Sequence, residues 1–176
     1  MSVPQPPAPC LLVFGVLLSG GLGEDPVAAK VAESFGEIGE VKEFAPFGHT
    51  GYYEREMGEG IRRGFFVMKE LVDPGTLADV KLRSNALETE LSGGTRRRAN
   101  LDPGLLNLTQ FVLATGKPAG HRIYLGKGIW AEIEYLFQFG EFKFLDWTYP
   151  DYREPGIVEF FNTLRAGYKI RQREKR

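Results

Sequence analysis

Cysteine is almost missing from this chain: Cys10 stands alone, so no disulfide can form within it. Histidine is nearly as scarce, with His49 and His121 far apart, so the usual ligands of a structural zinc site are not at hand. No apolar run is long enough to span a bilayer; the longest, LLVFGVLL at 11–18, has eight residues. No Lys or Arg precedes that run, and a proline-rich leader does, which suits a buried first strand better than a signal peptide. Charge of one sign is lacking too. The net charge is -1, which argues against a general nucleic-acid binder and leaves RNA binding through a basic segment as the weakest of the readings. A reducing cytoplasm is the expected setting, with no membrane association.

What is present is a globular composition, 43% hydrophobic and 26% charged over 176 residues, enough for one self-supporting domain. The expected layout is a flexible proline-rich start at 1–9, a single domain over 10–170 and a basic tail at 171–176. Charge is uneven along the chain. Residues 93–127 carry six bases and one acid, whereas residues 1–92 carry eight bases and fourteen acids.

Periodicity predicts the elements. A strand at 11–18 leads to a helix opened by Asp25-Pro26, with Ala28, Val31, Ala32 and Phe35 on one stripe. Strands follow at 38–45 and 61–69, separated by a long glycine-rich, aromatic loop at 46–60. Asp73-Pro74 opens a second helix that ends at Gly93-Gly94. A basic strand is read at 96–101, then a third helix opened by Asp102-Pro103, with Leu105, Leu108, Phe111 and Val112 inward. Strands at 121–126, 129–138 and 141–147 and a helix from Pro155 complete the chain, QFGE forming a hairpin turn. The first hundred residues thus run β-α-β-β-α-β, and the expected class is α+β, a mixed sheet with helices packed on it.

HRIYLGKGIWAEIEY, residues 121–135, gathers most of the candidate chemistry. Strict alternation puts Glu132 and Glu134 on one face of a strand, about 7 Å apart, with Ala131, Ile133, Tyr135 and Phe137 facing the core. Such a pair can hold a divalent cation such as magnesium, split its pKa values for acid–base work, or belong to a solvated face. His121 suits a general acid–base role, or a loop residue bonded locally. Lys127 sits in a Gly-Lys-Gly stretch that fails the phosphate-loop spacing, so it reads as a turn whose lysine can still meet an anion. Arg96, Arg98 and Arg122 can grip a phosphate or carboxylate, or else form a charged edge. Asp102 ends a strand, where sites gather, but reads more simply as a helix cap, as Asp25 and Asp73 do. Tyr52 and Tyr149, beside carboxylates in YYERE and TYPDYRE, suit ligand recognition or loop packing.

The segments YYEREMG (52–58), SNALE (84–88), RRANLDPGLL (97–106), HRIYLGKGIWAE (121–132) and WTYPDYR (147–153) resemble the recurring segments of a prokaryotic family, domain-of-unknown-function family 4416. The resemblance covers nearly the whole chain. It implies a stand-alone bacterial or archaeal protein of this length, and it brings no activity and no catalytic residues. The functional expectation therefore stays with the residues: an anionic, phosphorylated or nucleotide-like small molecule held by Arg96, Arg98, Arg122 and Lys127, with hydrolysis or phosphoryl transfer as the chemistry. The alternative is a non-catalytic adaptor that meets a protein partner through the aromatic loops 46–60 and 147–153.

Overall fold

The computed structural model describes residues 1–48, 52–94 and 96–174. Its eight strands are β1 (Cys10–Leu18), β2 (Ile38–Pro46), β3 (Arg62–Val72), β4 (Ala99–Leu106), β5 (Gln110–Thr115), β6 (Ile123–Gly126), β7 (Ile129–Gln138) and β8 (Glu141–Phe144). The helices are α1 (Glu24–Phe35), α2 (Tyr52–Met57), α3 (Leu77–Ser92) and α4 (Pro155–Glu174). The fold is α+β, and it begins in the β-α-β-β-α-β order expected.

The strands form one sheet in the order β2-β3-β1-β4-β5-β7-β6, with β8 also on β7. Every ladder is antiparallel, so the parallel pairing that a mixed sheet implies does not occur among the described residues. β1 and β2 do run parallel, but β3 lies between them; β3 and β4 likewise flank β1. These are two interleaved split β-α-β units.

β1 sits near the middle, and all nine of its residues are buried. This explains an apolar run without alternation, since both faces of the strand are covered. Leu12, Phe14, Val16 and Leu18 pack with Val27 and Val31 of α1 and Leu77, Val80 and Leu87 of α3. Leu11 and Val13, on the opposite face, meet Phe161, Leu164 and Tyr168 of α4. Phe161 lies 4.4 Å from Phe111 and 5.1 Å from Tyr135, ring centre to ring centre. The molecule is thus helices, sheet, helix.

Three helix readings need correction. Residues 102–116 form no helix: β4 and β5 make a hairpin there, its turn held by Asn107, whose side chain accepts the backbone N–H of Thr109 at 2.8 Å and of Gln110 at 3.0 Å. Asp102 therefore caps nothing and lies inside β4. Gly23, not Asp25, stands at the cap of α1, and Asp25 sits in its first turn, where a carboxylate complements the helix dipole. Asp73 does cap: its carboxylate accepts the Gly75 N–H at 2.8 Å in the 3-10 turn that leads into α3. The long loop at 46–60 contains a helix, α2, and its residues 49–51, with His49, lie outside the described part.

A cleft where two strands part

β4 pairs with β1 along its whole length, but it meets β5 only at Gly104–Leu106. Among the described residues no strand pairs with the other side of 99–103. Pro103 has no N–H to give a neighbour, and the ladder stops one residue beyond it. β5 meanwhile follows β7 as far as Thr115. The parting leaves a cleft of about 330 Å³. Lys81 and Asn85 reach it from α3 on one face of the sheet, and Tyr53 and Tyr149 line it from the other.

Charge fills this gap. The Lys81 ammonium donates to the Leu101 carbonyl at 2.9 Å and to Asp102 Oδ1 at 3.0 Å. The first of these is open to a side chain because no neighbouring strand takes it. Glu88 accepts the Leu101 N–H at 2.7 Å and pairs with Arg97 at 2.6 Å. Arg97 also donates to Asn100, which donates in turn to Asp102. Lys81, Ser84 and Glu88 are all buried on α3. Burial alone would raise the Asp102 carboxyl, but Lys81 and Arg63 outweigh it and hold the pKa below its ordinary value.

The other wall belongs to β7. Between Phe111↔Tyr135 and Val112↔Ile133 the register shifts, so β7 carries an extra residue at Glu134. This bulge breaks the alternation expected from the sequence. Glu132 and Tyr135 now share a face, and both glutamates are buried, at 1% and 0% exposure. The solvated-face reading is thereby excluded. A loop secures the bulge: Trp147 Nε1 donates to the Ile133 carbonyl at 2.8 Å, and Thr148 Oγ1 to that of Glu134 at 2.7 Å.

Glu132 lines the cleft with both oxygens engaged, one by His121 Nε2 and the other by Arg122 Nη2 at 2.9 Å. His121 is stacked on Trp147, ring centres 4.9 Å apart. Arg122 also reaches the Tyr149 hydroxyl at 3.3 Å, and that phenol is pushed up to about 12 by burial and by the Glu132 charge. Among the described residues Glu134 accepts only the Tyr149 N–H, at 3.3 Å, and its buried Oε1 has no partner. Burial first, and Glu132 second, push its pKa up to about 8, so it holds a proton at neutral pH. Glu134 is thus the member of the pair that burial holds as a carboxylic acid. Among the described residues no three of His, Cys, Asp or Glu are grouped to hold a metal ion.

The structure brings His121, Arg122, Glu132, Glu134 and Tyr149 together. Arg96 and Arg98 do not join them: Arg96 is exposed, and Arg98 donates to the Gly21 carbonyl at 3.3 Å beyond the end of β1. Arg97, between them, is the arginine at the cleft. Lys127 lies in a turn with φ 56 and pairs with Asp79 at 2.5 Å, both side chains well exposed. Tyr52 opens α2, its side chain outside the described part. Lys81 and Glu88 are absent from the residues the sequence proposes for a site, Arg97 is passed over for its neighbours, and Asp102 is set aside as a cap. A signal existed for two of them: on a helical wheel Lys81 and Glu88 fall within about 40° of Leu77, inside the stripe that should be apolar.

A family model described as a domain of unknown function (DUF4416) matches residues 8–168. No curated protein and no solved structure matches the chain.

Proposed function

We propose that this chain, which belongs to the domain-of-unknown-function family DUF4416, binds a small phosphorylated or nucleotide-like molecule in the cleft between β4 and β5. Glu132 transfers a proton there, in hydrolysis or phosphoryl-group chemistry. The observation that carries this reading is the company of charges around a hollow. Lys81, Arg97 and Lys117 line it with Asp102 and Glu132, a surplus of one positive charge. Burying an ion pair costs several kcal/mol per ion, and apolar side chains of the same size stabilise a fold equally well. A cluster of this kind around a cavity therefore points to a ligand.

Lys117 and Arg97 meet the anionic group, and the rings of Tyr53 and Tyr149 flank the rest. Glu132, fixed by His121 and Arg122, accepts the proton of a water or of a ligand hydroxyl. Glu134 sits behind it as a neutral acid. Glu134 is protonated, so a divalent cation carried by the ligand meets the two carboxylates that line the cleft, Asp102 and Glu132, through lone pairs their hydrogen bonds leave over. The proposed setting is a reducing cytoplasm. Among the described residues no helix is long and apolar enough to cross a membrane.

Thermal unfolding with ribose 5-phosphate, adenosine 5′-monophosphate and inorganic pyrophosphate, each with and without magnesium, tests the reading. A ligand present at a hundred times its Kd stabilises by about 2.7 kcal/mol, or roughly 5–10 °C for a chain of this size. Lys117→Ala is expected to reduce that rise. Absence of any rise at millimolar concentrations overturns the proposal.

The adaptor reading draws on Trp147 and Tyr149, 40% and 36% exposed. Phe47 and Tyr152 of the same loops are buried in the interior instead, which favours the cleft.

A further inference from the structure

We propose that the inner end of the cleft recognises an uncharged amide group of the ligand, through donors on Arg63 and Tyr152 and an acceptor on Asp151. The inference builds on the reading of the cleft as a ligand site and adds the chemistry of one end of that ligand.

A hollow of about 30 Å³ adjoins the cleft, and Tyr53, Asp102, Leu113 and Tyr149 line both. Its far wall is Arg63, Asp151 and Tyr152. The Arg63 side chain is 10% exposed, and its guanidinium lies among the rings of Phe47, Phe65 and Tyr152 at 5.4–5.8 Å. Its Nη2 is 2.7 Å from Asp151 Oδ2. Among the described residues its Nε and Nη1, both buried, have no hydrogen-bond partner, and nor does the Tyr152 hydroxyl. Asp151 Oδ2, despite the ion pair, has no aligned hydrogen bond among the described residues. The two sets of donors converge above Gly15. A Cβ built there would overlap the Tyr152 hydroxyl and lie 3.1 Å from Arg63 Nη1.

The large majority of buried side-chain polar atoms are hydrogen-bonded, so orphan donors from two separate elements at one point need an explanation. An acceptor from the ligand supplies it. Charge decides which kind. Arg63 is paired with Asp151 and Lys81 with Asp102, so two cations already balance two carboxylates here. A phosphate or carboxylate would bring a third negative charge into this buried place; a carbonyl oxygen brings none. An amide N–H beside that carbonyl donates to Asp151. The hollow has the volume of about one water molecule, so only the tip of the group enters it, and the body of the ligand stays in the cleft.

Formamide and formate are close in size and differ in charge, which makes them the probes. Titration into ¹⁵N-labelled protein, followed at the Arg63 Nε–H signal, is expected to show saturable formamide binding in the tens of millimolar, roughly the range open to so small a molecule. Formate should bind at least about tenfold more weakly. Tyr152→Phe keeps the ring, removes one donor, and should weaken formamide by about fivefold. Formate binding as well as formamide, neither probe moving Arg63, or Tyr152→Phe leaving affinity unchanged would each overturn the inference. Inorganic phosphate, followed in the same samples at Lys117 and Tyr149, reports separately on the outer cleft. A phosphate response without a formamide response at Arg63 removes the amide subsite and leaves the cleft; the reverse supports the subsite while removing the anion site.

Discussion

Replacing Lys81 with methionine keeps the length of the side chain and removes its charge. Lys81 is 6% exposed, 3.0 Å from Asp102 and 3.9 Å from Glu88. Breaking one side of a buried ion pair costs about 3–5 kcal/mol, because the partner charge stays buried. Glu88 keeps Arg97 and the Leu101 N–H, and the Asp102 side chain is 26% exposed, so the low end applies: about 3 kcal/mol, or roughly 6–12 °C in Tm. Asp102→Asn in the same chain removes the stranded charge and should restore about 2 kcal/mol, a coupling that a double-mutant cycle isolates. The pH dependence follows with its sign. Asp102 has a lowered pKa when folded, so its contribution is complete above about pH 4 and is lost as pH falls through the folded value. In Lys81→Met the folded pKa rises, so the part of the acid loss that Asp102 supplies shrinks. Urea unfolding followed by circular dichroism measures all three quantities. A loss below about 1 kcal/mol for Lys81→Met, or additive effects of the two substitutions, would refute the reasoning.

Glu134 titrates the other way. Its folded pKa of about 8 lies above the unfolded one, so stability should fall as pH rises from about 4.3 to 8, by at most about 1.4 kcal/mol per pH unit. Glu134→Gln should flatten this slope and be more stable than the parent above pH 8; an unchanged slope in urea unfolding contradicts the assignment. Gly104→Ala places a Cβ 2.5 Å from the Phe111 ring and 2.9 Å from Leu113, at the point where β4 leaves β5, and should cost about 1–3 kcal/mol in the same assay. Phe161→Ala empties a position that is 0% exposed between the rings of Phe65, Phe111 and Tyr135, with an expected loss of about 3–5 kcal/mol and a lower thermal midpoint.

The elements with one unambiguous signal were legible from residues alone. β1 reads as a strand because both of its faces are apolar, and α4 because Phe161, Leu164 and Tyr168 recur at helical spacing. The QFGE turn holds Phe139 and Gly140 at φ 52 and 91, and it pairs Gln138 with Glu141 as a two-residue hairpin should. Residues 102–116 misled because Leu105, Leu108 and Phe111 recur at helical spacing, and Asp-Pro had already opened a helical segment elsewhere. The choice was made by tertiary context, since β4 completes the cover of β1. The local sign was Asn107, a turn-former between the two apolar runs.

The site was half legible for a related reason. His121, Arg122 and Glu132 lie close in sequence across a strand pair and stay close in space. The single-residue bulge at Glu134 leaves no mark in the pattern, so the burial of both glutamates could not be read from alternation. Arg97 and Asp102 reach the cleft only because β4 and β5 part there, which is a property of two strands together and not of either alone. Arg98 and Lys127 were drawn in by composition; the fold spends Arg98 on a backbone carbonyl and Lys127 on Asp79.

Calorimetric titration of adenosine 5′-monophosphate and ribose 5-phosphate into four proteins tests the central claim most directly: the parent, Lys117→Ala, Arg98→Ala and Lys127→Ala. If the parting of β4 and β5 makes the binding site, at least one of these compounds binds the parent, Lys117→Ala weakens it by about tenfold, one lost charge-assisted hydrogen bond, and the two remote variants match the parent. Affinity that survives Lys117→Ala and disappears with Arg98→Ala or Lys127→Ala would place the ligand elsewhere and contradict the account.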